Sequence, residues 1–523
     1  MTDFHKKSIQ SLLSEKRLAE AFAELRQTAQ TLQNWQLNNR LDELEESYKY
    51  MIRYVADGCN DPQREEIHNG ITAKLMELAD ITEQELTVQN SPKLYYETLR
   101  MERKYPRSLE ALLEAYRECA DKTALFYELP ADKRDSDQER TLLMEKEKAA
   151  NAVFKHIWVT FPVTANEAGT LDKLFADADA TAEIKELAMA ATMLSLLEHY
   201  SEHLLLSLLD LYAANAFNDA SLSMKALCCA LIAMHCHRET IKHSNAISLR
   251  IANIADSERG RRDIMTVFLQ FIRSRSTERI SQKVRDELVP KLMKLSPEMR
   301  RKMRDGFSDD IEEMAKNPDW QEMLNESGIT DKMQELSRMQ AEGSDVFLSS
   351  FARLKSFSFF NDVANWFVPF TPRHSSIFRV FAGNSGSMLL SMVDRTGAFC
   401  DSDKFSFALS VATMPDQHRS MMMAQFDEQQ EQVINEMAGS LPNPDKQREN
   451  IANKYVQSLY RFFNLFRSRN DFYNPFSTRL NLIDVPFVSD ALSDTKSLRL
   501  IAEFYFSMQC YTDALSTFGK VLK

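Results

Sequence analysis

The chain has 523 residues but only 12 glycines and 15 prolines, against average usage of roughly 7% and 5%. Barrels, sandwiches and doubly wound sheets need many such turn residues, so the composition points to an all-α protein. An apolar share of 44% supplies a sizeable core and excludes disorder throughout, and a net charge of −12 works against general nucleic-acid binding, because polyanions are repelled.

From the N-terminus, Met1-Thr2-Asp3-Phe4-His5-Lys6-Lys7 leads into a polar amphipathic segment with no apolar stretch behind it, so no signal peptide is expected. Helix starts are predicted at Ser91-Pro92 and Ser296-Pro297, a capping hydroxyl followed by proline at the first helical position. Thr82 with Glu85, Asp309 with Glu312 and Asp319 with Glu322 have capping-box spacing. Leu187, Ala190, Leu194, Leu197, Leu204 and Leu208 read as one helical stripe interrupted only by Ser201. The best candidate for a membrane span, Leu204–Leu211, is broken by Asp210 and is far too short to cross a bilayer. The interval 370–405, with Pro372, Gly383, Gly386 and Gly397, is the least helical and leaves room for a short strand. Breaks at 128–140, 341–344, 440–445 and 474–484 divide the chain into helical blocks at 1–127, 141–340, 345–440 and 446–523. Few linkers are long enough to decouple them, so a continuous α-solenoid is expected rather than separate beads.

The strongest pattern lies at 498–523. Ala502 and Ala514 are small residues placed where two antiparallel helices would cross, Tyr505 is the aromatic of the first helix, and Tyr511 stands at the turn. Phe518, Val521 and Leu522 continue the apolar seam. This hairpin resembles a tetratricopeptide repeat. Leu498 stands where the family often has Trp, and Gln509-Cys510 replaces the glycine usual before the turn. Weaker echoes occur at Phe217-Asn218-Asp219-Ala220, followed by Met224 and Leu227, and at Leu18-Ala19-Glu20-Ala21 with Leu25; no 34-residue period joins them. The chain is similar in layout to large bacterial tetratricopeptide-repeat proteins, with a long degenerate helical region before the recognisable hairpin. That resemblance implies a scaffold or adaptor that binds a peptide or partner helix.

Few residue clusters suggest chemistry. Cys228, Cys229, His235, Cys236 and His237 carry zinc-type ligands at poor spacing, and a buried helix of small apolar residues ending in surface histidines is the plainer reading. His199 and His203 sit at i and i+4, but no Glu follows the first, and an exposed helix end explains them as well. No phosphate-binding glycine loop, dinucleotide fingerprint or nucleophile elbow occurs, so neither enzyme activity nor a cofactor is expected. The seven cysteines, an odd number at irregular spacing, suit reduced thiols in the cytoplasm.

Two segments suggest partners. The stripe 259–304 holds 14 Lys/Arg against 5 Asp/Glu and includes Arg300, Arg301 and Lys302. It suits solvated or intramolecular charge first, an acidic protein second and nucleic acid last, because aromatic interleaving is thin. The aromatic run 357–370, with Trp366 and Phe367, suits either packing between blocks or a partner groove. The apolar seam of the last hairpin has no capping helix behind it. The chain is therefore expected to be part of a longer repeat protein or to associate through that hairpin.

Overall fold

The computed structural model describes residues 6–32, 34–58, 62–288, 335, 338–340, 342–381, 393, 399–414 and 443–522. The described elements are helices and turns, with no strand among the described residues, including the described parts of 370–405. The chain is all-α. Four helices open it: α1 (Lys6–Ser14), α2 (Leu18–Leu32), α3 (Trp35–Ala56) and α4 (Arg64–Thr87). They share a small core of their own, from Ile9 through Leu41 to Ala79. The main core starts at Val88 and runs to Ala514, so the division between the two falls inside the α4 region.

Next come α5 (Leu94–Lys104), α6 (Leu109–Glu128), α7 (Ser136–Val159), α8 (Ala165–Ala176), α9 (Ala182–Glu198), α10 (Glu202–Asn215), α11 (Ala220–Cys236), the short α12 (Arg238–Ile241), α13 (Asn245–Asp256), α14 (Glu258–Ser274) and α15 (Thr277–Lys283). Short polar side chains start many of them. Ser108, Thr164, Ser201, Asp219, Ser244 and Ser257 each accept a bond from a backbone N–H in the first turn that has no partner within the helix. Gly260 allows the tight α13–α14 turn, because a Cβ there would stand 1.9 Å from the Ile254 carbonyl oxygen.

Three sequence expectations fail locally. The stripe Leu187–Leu208 is two helices, not one, since Ser201 caps a new helix through Leu204 N at 3.4 Å. Helix α5 starts at Leu94 with Lys93 as its cap, and Ser91 Oγ only accepts from Lys93 N at 3.3 Å. Thr82 lies inside α4 and its hydroxyl donates back to Leu78 O at 2.7 Å. The starts expected at Ser296, Asp309 and Asp319 lie outside the described residues.

Contacts between α6 and α15 follow two rows. Helices α6, α8, α10 and α13 pack each on the next in one row, and α7, α9, α11 and α14 do so in the other. Chain neighbours α6–α7, α10–α11 and α13–α14 bridge the rows. After α16 (Leu348–Ala352) and α17 (Asp401–Ala412), the long α18 (Pro444–Leu465) lies on α11 and α14. The aromatic segment 357–370 lies on α7, where Phe367 stacks on Phe154 at 5.9 Å and Asp362 accepts from Asn151. The short α19 (Val488–Ala491) touches α13, and α20 (Thr495–Ser507) packs on α14 and pairs with α21 (Tyr511–Val521).

Buried ion pairs hold these layers in register. Arg448 of α18 donates from Nε and Nη2 to Asp263 of α14 at 2.8 and 2.6 Å. Tyr212 also donates to Asp263, at 2.8 Å, while Arg448 reaches Ser223 Oγ and Ala216 O at 3.2 Å. Arg461 pairs with Asp345 at 2.8 and 2.9 Å and with Asp403 at 2.8 Å, and Lys355 pairs with Asp403 at 3.0 Å. Lys225 of α11 pairs with Glu186 of α9 at 2.7 Å. Burial disfavours its ammonium, but the charges of Glu186 and Asp401 outweigh that and raise its pKa.

His156 of α7 sits between Glu102 of α5, at 3.6 Å, and Glu167 of α8, at 3.0 Å. Burial opposes its protonation, yet hydrogen bonds to both carboxylates win and push its pKa up to about 9. A raised histidine pKa stabilises the fold fully below the unfolded value of about 6.5 and loses that contribution as pH rises through 9. The melting temperature should therefore fall between about pH 6.5 and 9, with a shallower fall in His156→Gln; equal slopes in the two proteins would contradict this.

Asp263→Ala should cost roughly 3–5 kcal/mol in chemical denaturation, because it strands a buried guanidinium. Asp210→Ala, which breaks the exposed pair with Arg250 at 2.6 Å, should cost less than about 1 kcal/mol.

Candidate functional site

The last hairpin forms as its sequence requires. Asp494 caps α20 by accepting from Ser497 N at 3.0 Å. Ala502 and Ala514 are buried, which lets α20 and α21 lie close together. Tyr505 is buried, its hydroxyl donates to Asn481 at 3.2 Å, and its ring meets Phe268 edge-on. Phe518 and Val521 are half-buried against the main core. At the turn, Gln509 takes φ +62°, the left-handed conformation that a glycine would adopt without strain.

Tyr511 stands at the turn as expected, its ring 5.5 Å from that of Phe506, and is 58% exposed. Leu522 departs from its expected place: it does not close the seam and is 88% exposed. Together with Leu515, 76% exposed, they form an outward stripe at i, i+4 and i+11, flanked by exposed Leu500 and Phe506 on α20. The sequence carried this signal, since Leu515 falls four residues after Tyr511 and seven before Leu522, the spacing of one helical face.

The aromatic pair Trp366 and Phe367, which the sequence leaves open to packing between blocks or to a partner groove, lies in the core and not on a partner surface. Trp366 and Phe367 are buried. The indole N–H of Trp366 donates to Phe360 O at 3.0 Å, and its ring meets Phe462 and Phe466 edge-on. Phe367 lies 4.8 Å from Phe462. Six aromatic residues in fourteen bury more apolar area than a loop can leave in water, so the segment folds inward against α7 and α18.

Arg300, Arg301 and Lys302 lie outside the described residues. The described basic residues of the stripe are turned to internal use. Arg275 pairs with Asp513 at 2.8 Å, Arg279 donates to Gln509 at 2.5 Å, and Arg273 reaches Glu449 at 3.5 Å and the Phe504 ring at 5.4 Å. Lys283 pairs with Glu335, Arg285 with Glu278, and Arg262 with Glu258 and Asp445.

The Cys/His region is a packed helix. Every residue from Leu222 to His235 is buried, so His235 is not the surface residue expected. Cys229 Sγ lies 3.2 Å from the Tyr455 hydroxyl, and burial pushes the Cys229 and Cys236 thiols up to about 12. His199 ends α9, buried and stacked on Phe161 at 4.4 Å, while His203 is exposed on α10. The two histidines therefore do not share a helix face. No group of three metal-ligating side chains occurs among the described residues. The larger of two described clefts, lined by Phe271, Arg275, Tyr460 and Phe476, measures about 80 Å³, against roughly 300–1,000 Å³ for small-molecule sites.

Among the described residues, no helix is long and apolar enough to cross a membrane. No family model matches the chain, and neither a curated protein nor a solved structure matches it.

Cys228, Cys229 and Cys400 are buried thiols whose pKa values burial raises. They should resist a maleimide in the native protein and react only after denaturation, as read by peptide mass spectrometry. Rapid native labelling of Cys229 would contradict this packing.

Proposed function

We propose that this chain is a non-enzymatic scaffold, a solenoid of helical hairpins that binds an amphipathic helix of a protein partner on the outward face of its last hairpin. The carrying observation is the stripe Tyr511, Leu515 and Leu522, three large exposed apolar side chains on one face of α21 and its C-terminal cap. An exposed apolar stripe on a helix is the surface that helix-in-groove recognition uses. The two-row packing of α6 to α14 supports the solenoid reading, since stacked hairpins share their cores with neighbours. Buried Ala502 and Ala514 support the tetratricopeptide-like register. The other long face of the stack, along α7, α11 and α14, is covered by the chain's own aromatic segment and α18. This leaves the hairpin rather than a row-lined groove as the docking place. The six described cysteines, all free thiols, suit a reducing compartment such as the cytoplasm.

Leu515→Glu with Leu522→Glu places charges on exposed positions, so the melting temperature should move by no more than about 2 °C. A photo-crosslinker at position 515 should capture a protein in cells, and one at the exposed Leu249 should not. Equal capture at both positions, or capture that survives the double substitution with the crosslinker moved to position 511, would overturn the proposal.

A further inference from the structure

Helix α3 is longer than the core beneath it. Its inward face carries Leu37, Leu41, Leu44 and Tyr48, which pack on the α1–α4 core. Its outward face, spaced by three and four residues, carries Glu43, Glu46, Ser47, Tyr50, Arg53 and Tyr54. Tyr50 and Tyr54 are 58% and 59% exposed, and Arg53 lies over the Tyr50 ring at 5.8 Å.

The charges on this helix are segregated. After Arg40, which Glu77 takes at 2.8 Å, come Asp42, Glu43, Glu45 and Glu46, and then Lys49 and Arg53. Asp42 and Glu45 are taken by Arg26, and Lys49 by Glu45. Glu43, Glu46 and Arg53 make no ion pair among the described residues and lie on the outward face. A face that runs acid to base along the helix is the complement of its own reverse. Two such faces placed antiparallel match opposite charges, whereas a parallel pair sets like against like.

We infer that α3 is a self-association helix, along which two copies of this chain pair antiparallel. With the two-fold axis beside residues 48–49, Arg53 of the second copy comes level with Glu43 and Glu46, within about 1.5–3 Å of axial offset at the helical rise. Tyr50 of both copies then meets near the axis, and Tyr54 covers the acid end of the second copy. Exposed ion pairs contribute little each, so the tyrosines supply the buried area and the charges set direction.

The test is sedimentation of the full chain, carrying Leu515→Glu and Leu522→Glu so that the C-terminal face supplies no contact, at concentrations up to about 100 µM. A concentration-dependent dimer is expected, weakened by about 0.5 M salt. Glu43→Arg and Arg53→Glu should each raise the dissociation constant about tenfold or more, with unchanged melting temperature. Mixing the two variants should restore a heterodimer, since each then offers the charge that the other lacks. Tyr54→Ser should weaken the dimer without restoring on mixing. A chain that stays monomeric, a dimer indifferent to both charge reversals, or variants that fail to complement each other would overturn the proposal. Loss of the dimer here leaves the proposed C-terminal function untouched, because that face is read by crosslinking at position 515.

Discussion

The fold depends on one helix that has no side for water. From Leu222 to His235, α11 buries every residue, apolar or polar. A helix that is apolar all round must be enclosed, and α9, α10, α14 and α18 do so. Fully burying a side chain such as Leu227, Leu231 or Ile232 contributes about 1.5–3 kcal/mol. Small residues set how close the neighbours come. Ala226, Cys228, Cys229, Ala230 and Ala233 are all buried, and none projects far enough to hold a packing helix away. The cysteines thus act as small apolar side chains, with thiols held protonated by burial.

Apolar enclosure does not by itself fix which residue faces which. The buried charges do that. Arg448, near the start of α18, reaches α14, α11 and the end of α10 at once through Asp263, Ser223 and Ala216 O. Arg461, further along the same helix, takes Asp345 and Asp403. A shift of α18 by one turn would strand two guanidinium groups and three carboxylates in the core, so ion pairs of small net value still select one alignment.

Internal pairing also decides what remains outside. Arg275, Arg273 and Arg279 of the basic stripe face Asp513, Glu449 and Gln509, which bind the last hairpin and α18 to α14 and α15. The aromatic segment is consumed by the face of α7 and α18. The apolar side chains left in water are concentrated instead on α21 and on the far part of α3, two helices whose inner faces are already occupied by their hairpin partners.

The sequence by itself determined the class of fold, because few glycines and prolines leave few turns and helical spacing is local. It also determined the last hairpin, where Ala502, Tyr505 and Ala514 specify a crossing between chain neighbours. It misread the break at His199–Ser201, since the apolar spacing of α9 and α10 happens to stay in phase across the cap. Only the tertiary structure decided that Trp366 is buried, that His235 is enclosed and that Leu522 is not. Burial of an apolar or charged side chain depends on what distant segments bring to it. The Arg448–Asp263 pair joins residues 185 positions apart, a separation over which spacing along the chain carries no information.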